Sequence, residues 1–123
     1  MSLHQVAQHA TDLGRARHFY EEHLGATFIA AFDPPGLLFM NIGNTRLLLE
    51  QQAPSATLYY GVDDVAVKVE ELRAKGVSIE TEPHTIFQDA EGMFGPAGTE
   101  ERMAFIRDSE GNLVGLVSRH PLA

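Results

Sequence analysis

The sequence contains no cysteine, which excludes a disulfide scaffold and any metal site built on thiolates. Basic residues are scarce: nine Lys and Arg stand against seventeen Asp and Glu, for a net charge of −8. Arg15 and Arg17 are the nearest approach to a basic cluster. A nucleic-acid or anionic-membrane partner needs a positive footprint, so neither partner is expected. No apolar run approaches the ~18 residues of a membrane span. The N-terminus lacks the basic-then-apolar pattern of a secretory signal, and a cytoplasmic location is the expectation. Phosphate-cradling loops are missing too: Gly92, Gly95 and Gly98 are followed by neither Lys-Ser/Thr nor a helical pattern. There is no thiol nucleophile, and no Ser-His-Asp set on a nucleophile elbow.

What is present suits one globular domain over residues 1–123, with 44% apolar and 8% aromatic residues. Its organising feature is an internal repeat. A strand-like run from Leu3 leads to Asp12-Leu13, an amphipathic stretch, and Leu24-Gly25. A second run from Ser55 leads to Asp63-Asp64-Val65, another amphipathic stretch, and Lys75-Gly76. Asp12 and Asp64 are helix N-cap candidates, because a carboxylate accepts from the free N–H groups of the first turn. Ala16, Phe19, Tyr20 and Leu24 form one helical stripe, and Val65, Val69 and Leu72 another. Module one therefore spans residues 1–52 and module two 55–120, with Gln51–Pro54 as a short linker.

Strand-like runs follow each helix. They are Thr27–Phe32, Leu37–Ile42 and Arg46–Glu50 in the first half, and Val77–Thr81, Met103–Arg107 and Leu113–Ser118 in the second. Asp33-Pro34-Pro35-Gly36, Gly43-Asn44 and Asp108–Asn112 read as turns. The second half is longer, and the excess falls around Phe87–Glu101, rich in Gly, Pro and acidic residues. That stretch reads as a mobile loop, either a lid or a plain solvated hairpin.

These ordered pieces resemble the vicinal-oxygen-chelate superfamily, which includes glyoxalases, bleomycin-resistance proteins and extradiol dioxygenases. Asp12-Leu13, Phe19-Tyr20, Leu24-Gly25 and Glu50 carry the likeness in module one. Asp63-Asp64-Val65, Ala74–Val77, Glu82-Pro83 and Phe105–Asn112 carry it in module two. The resemblance implies an α+β fold of two βαβββ modules whose curved mixed sheets surround a cavity, and it implies a homodimer. It leaves two functions open. One is a glyoxalase- or epimerase-like lyase or isomerase acting next to a carbonyl; the other is a metal-free protein that binds or sequesters a small molecule.

The resemblance also implies where a metal would sit. Gln5, seven residues before Asp12, and Glu50, closing module one, match family ligand positions and suit Zn²⁺, Ni²⁺, Mn²⁺ or Mg²⁺. Module two departs from the pattern, with Thr57 and Gly115 at the corresponding positions. A Gly offers no donor atom, so the implied site is incomplete. Extradiol chemistry, which wants two His and a carboxylate on iron, is disfavoured by the same two residues.

Period-two parity puts Gln5 and His9 on one strand face. His9, Glu50, His84 and Glu101 form an alternative constellation, the last two flanking the long loop. Glu50 is the candidate catalytic base, since a carboxylate turned into a cavity has the raised pKa that proton abstraction needs. Tyr59, Thr57, Phe39 and Phe105 complete the expected pocket wall, with Tyr59 able to donate its hydroxyl.

Overall fold

Leu3 to Ala123 are described by a computed structural model. The chain forms two compact units. The first runs to Ala56 and includes Asp108–Asn112; the second comprises Thr57–Arg107 and Leu113–Ala123. Each carries one helix and one four-stranded mixed sheet, the architecture expected from the repeat.

In the first unit β1 (Gln5–His9) is followed by α1 (Leu13–Leu24), β2 (Thr27–Phe32), β3 (Leu37–Ile42) and β4 (Thr45–Glu50). The sheet order is β1-β4-β3-β2, with β1 and β4 parallel and the other pairs antiparallel. Asp12 caps α1 by accepting from the Arg15 N–H at 2.9 Å, and Gly25 ends it at φ 70, a backbone conformation that favours glycine. Ala16, Phe19 and Tyr20 are buried as the stripe predicts. One face of the sheet is buried too, through Gln8, Leu38, Met40, Leu47 and Leu49. Each large apolar side chain buried this way contributes about 1.5–3 kcal/mol before entropy is counted.

The second unit repeats the plan with β5 (Leu58–Gly61), α2 (Val65–Ala74), β6 (Ile79–Asp89), β7 (Thr99–Arg107) and β8 (Leu113–Pro121), in the order β5-β8-β7-β6. Asp64 caps α2 by accepting from the Ala66 and Val67 N–H groups. Val65, Val69 and Leu72 are buried, as are Ala104, Ile106, Val114 and Leu116 on one face of the sheet.

The largest departure from the sequence expectation is the stretch 87–101. Both ends of it are strand, since the β6–β7 ladder runs out to Asp89↔Thr99, and residues 90–98 form the turn between them. His84-Thr85-Ile86-Phe87 has the branched and aromatic content of a strand, so the added residues lengthen the hairpin. The ladder shifts register between Thr81 and His84, where Pro83 has no N–H to donate. The turn itself is tied down: the buried Asp89 carboxylate accepts from the Met93 N–H at 2.6 Å and the Phe94 N–H at 3.0 Å.

Candidate functional site

Each sheet has one face buried against its helix and one open face, and the candidate residues lie on the open faces. In the first unit strand register decides which of them meet. Across the β1–β4 ladder Gln5 pairs with Arg46, Ala7 with Leu48, and His9 with Glu50. Paired residues of a parallel ladder point to the same side, so these six share a face. Continuing across β3, Leu37 lies beside Glu50, Phe39 beside Leu48 and Asn41 beside Arg46.

Register separates the two expected metal ligands. Gln5 and Glu50 stand four residues apart along the ladder, roughly 13 Å between backbones at strand rise. Ala7 and Leu48 lie between them. The Gln5 amide oxygen is also engaged, accepting from Arg46 Nε at 2.6 Å. The pair does not fit a shared divalent ion, and no step of chemistry is derived through one. Among the described residues no group of three or more His, Asp or Glu is placed to hold a metal ion.

Register does bring Glu50 and His9 together, as cross-strand neighbours at the end of the ladder. The His9 ring lies 3.1 Å from the Thr11 hydroxyl through Nε2. Between the two polar ends the face is apolar. Leu48 is 8% exposed, Phe39 is half-buried, and Phe32 meets Phe39 edge-on at 6.1 Å. The Arg46 guanidinium sits 5.6 Å from the Phe39 ring centre.

The open face of the second unit has a different chemistry. Tyr59 pairs with Gly115 across β5–β8, and Gly115 pairs with Phe105 across β8–β7. The Tyr59 ring lies over Gly115, where an added Cβ would overlap it, and meets Phe105 edge-on at 5.8 Å. Gly115 therefore makes structural sense: it is the space into which an aromatic ring settles. Tyr59 remains 55% exposed, so its outer face is free to be covered. Thr57 is exposed and lies just before β5 begins.

His84 and Glu101 do not meet. His84 is opposite Met103 and Glu101 opposite Phe87, and His84 Nδ1 lies 3.0 Å from the Glu82 carbonyl oxygen. Glu101 accepts from Arg119 at 2.8 Å. Arg119 also donates to Asp89 at 3.1 Å and to the Thr99 hydroxyl at 2.6 Å. Burial works against the charged form of Asp89, but the Phe94 and Met93 N–H groups and Arg119 outweigh it and lower its pKa. Beyond this cluster the turn presents an apolar tip, with Met93 and Phe94 about two-thirds exposed and Phe94 edge-on to Phe87 at 5.3 Å.

Sequence analysis read Asp108–Asn112 as a turn and as part of the family likeness; the structure makes it a polar plug in the first unit. Glu110 accepts from the Thr11 and Asp12 N–H groups, both at 2.8 Å, and from Arg15 Nε at 2.8 Å. Burial opposes its ionisation, but Arg15, the Asp12 N–H, the Ser109 hydroxyl and the Thr11 N–H hold its pKa down at about 2. Asn112 donates to the His9 carbonyl at 2.7 Å, and the Tyr20 hydroxyl donates to Asp108 at 2.7 Å. This plug fixes the backbone on both sides of Ala10, next to the His9–Glu50 pair. A separate open groove of about 420 Å³ is lined by Gly61–Asp64, Val67, Lys68 and Glu71. It contains none of the candidate site residues, though the α2 cap Asp64 lies on its wall.

Residues 2–116 match the family model described as Glyoxalase/Bleomycin resistance protein/Dioxygenase superfamily. No curated protein matches the sequence. Among solved structures, an antibiotic-binding protein, TnmS3 from Streptomyces sp. CB03234, superposes with a TM-score of 0.75 at 23% identity, covering 98% of this chain and 97% of that one. A lactoylglutathione lyase from Agrobacterium tumefaciens gives 0.74 at 20% identity, covering 95% and 92%. A virulence protein, STM3117 from Salmonella typhimurium, gives 0.72 at 23% identity, covering 96% of each. Likeness at these identities establishes the fold. Among the described residues no helix is long and apolar enough to cross a membrane.

Proposed function

The chain belongs to the glyoxalase/bleomycin resistance protein/dioxygenase superfamily, and from that premise we propose that it binds an amphipathic, partly aromatic small molecule without a resident metal ion. The observation that carries this reading is the Tyr59 ring seated over Gly115 and edge-on to Phe105. An exposed aromatic tile stacks on a planar ligand and is a poor ligand for a divalent ion. Phe32 and Phe39 give the other open face the same apolar character. One of the structural relatives is itself an antibiotic-binding protein.

The test is calorimetric titration of neutral aryl amides, with and without chelator, into wild type and Tyr59→Ala. Binding should be indifferent to chelator and fall about ten-fold in Tyr59→Ala, as expected for loss of one aromatic contact. A stoichiometric divalent ion in the purified protein, lost together with binding in Glu50→Ala, would overturn it.

A second reading is proton transfer next to a carbonyl, in the manner of a lyase or isomerase. It is favoured by the His9–Glu50 pairing, because the Glu50 carboxylate has no hydrogen-bond or ion-pair partner among the described residues. Such a carboxylate is free to accept a proton from a bound ligand. Deuterium exchange at the carbon beside a carbonyl, abolished in Glu50→Gln, would support this reading over simple binding.

A further inference from the structure

Among the arginines, charge pairing has one conspicuous gap. Arg15, Arg17, Arg73, Arg102, Arg107 and Arg119 each pair with a carboxylate. Arg46 does not, although acidic residues outnumber basic ones almost two to one. Its only side-chain hydrogen bond among the described residues is from Nε to the Gln5 amide oxygen, which carries no net charge. Arg46 is a half-buried residue on the open face of the first unit, with its guanidinium carbon 5.6 Å from the Phe39 ring centre.

This arrangement orients the cation without neutralising it. The Gln5 oxygen holds Nε and the Phe39 ring lies nearby, while the two terminal nitrogens make no hydrogen bond among the described residues. A planar guanidinium fixed in this way presents the fork that a carboxylate fits with two parallel hydrogen bonds. Partial burial lowers the local dielectric and strengthens the attraction relative to a fully solvated arginine.

The surroundings say what else such a ligand must be. Next to Arg46 along the face come Leu48 and Phe39, which suit an apolar body. At the far end of β4, roughly 13 Å away, stands the unpaired Glu50 carboxylate, which repels a second anion. We propose that Arg46, held by Gln5 and Phe39, is the anion-recognition residue of this chain, and that its ligand is a small monocarboxylate with an apolar or aromatic body. This deepens the binding reading and rests on it. It also gives Gln5 a role: a positioning residue for the arginine in place of a metal ligand.

The experiment compares a panel of arylalkanoic acids with their matching primary amides, titrated into the full chain by calorimetry. Wild type should bind the best acid about ten- to a hundred-fold more tightly than its amide, the range for a charge-assisted forked hydrogen bond. Arg46→Gln should remove that preference by weakening acid binding to the level of the matching amide, with melting temperature near wild type. Arg46→Lys should restore part of it, and Gln5→Leu should weaken it without abolishing it, because the charge remains but its orientation is lost. Equal affinity of wild type for acid and amide would overturn the inference while leaving the binding reading intact. Failure of both acids and amides to bind would overturn both. A change of assembly state in Arg46→Gln with acid preference unchanged would assign the arginine to a contact between copies of the chain and overturn the inference as well.

Discussion

Arg46 and Arg119 occupy the open faces of two modules built on one plan, in β4 and β8, the parallel partners of β1 and β5. Their surroundings differ in one respect that decides their use. Arg119 donates to Asp89, Thr99 and Glu101 and is consumed in holding the β6–β7 turn. Arg46 has an amide oxygen and a ring, and its charge remains uncompensated. The same contrast extends along each face. The first unit is polar at both ends and apolar between; the second is aromatic around Tyr59 and closed by internal ion pairs toward the turn. Duplication preserved caps, strand order and the buried stripe, since those determine folding. It left the open faces free to diverge, since little of the core depends on them.

That contrast can be broken experimentally, beginning where the effect should be largest. Glu110 anchors the first unit through two backbone N–H groups and Arg15. Its pKa of about 2 lies below the ordinary 4.5. Its contribution is therefore fully present above about pH 4.5 and is lost as pH falls through 2. Wild-type unfolding free energy should drop by about 2–3 kcal/mol between pH 5 and pH 2. Glu110→Gln should lose a similar amount at pH 7 and show a flatter acid limb. An identical pH profile in the two proteins would remove this anchor from the account.

The second unit is sharpened by Gly115→Ala. A Cβ there overlaps the Tyr59 ring and must push it off the sheet. We expect a loss of about 1 kcal/mol, or a few degrees in Tm, together with weaker binding of neutral aryl amides. Retained affinity would show that the ring position is irrelevant to the ligand.

Asp89→Asn tests the ordered turn. It removes the charge that Arg119 meets and weakens acceptance from Met93 and Phe94. Hydrogen exchange across residues 90–98 should quicken, with the core strands unchanged. The smallest effect is expected at Lys68→Ala, which breaks the long surface pair with Glu71 one turn along α2 and should move stability by less than about 0.5 kcal/mol.

Much of the fold was legible in local chemistry. Asp12 and Asp64 cap helices, Gly25 ends one, and the apolar stripes are buried except for Leu24, which is half-buried at the end of α1. The strands around Phe87–Glu101 were not legible, because acidic and glycine-rich composition hides a pairing that depends on which residues stand opposite. The site was legible by residue type and illegible by neighbourhood. Parity assigned Gln5 and His9 to one face, but only register set Gln5 against Arg46 and His9 against Glu50. Nothing local to Arg46 marks it, since its distinction is the absence of a partner among distant carboxylates.

The amino-acid order alone determined the duplicated strand–helix plan, the caps and the buried periodicity, because these rest on interactions within a few residues of chain. Tertiary structure decided which polar groups neutralise one another and which stay available. A charge is paired or unpaired only through contacts between strands far apart in sequence, and a shift of register by one residue would exchange every such contact.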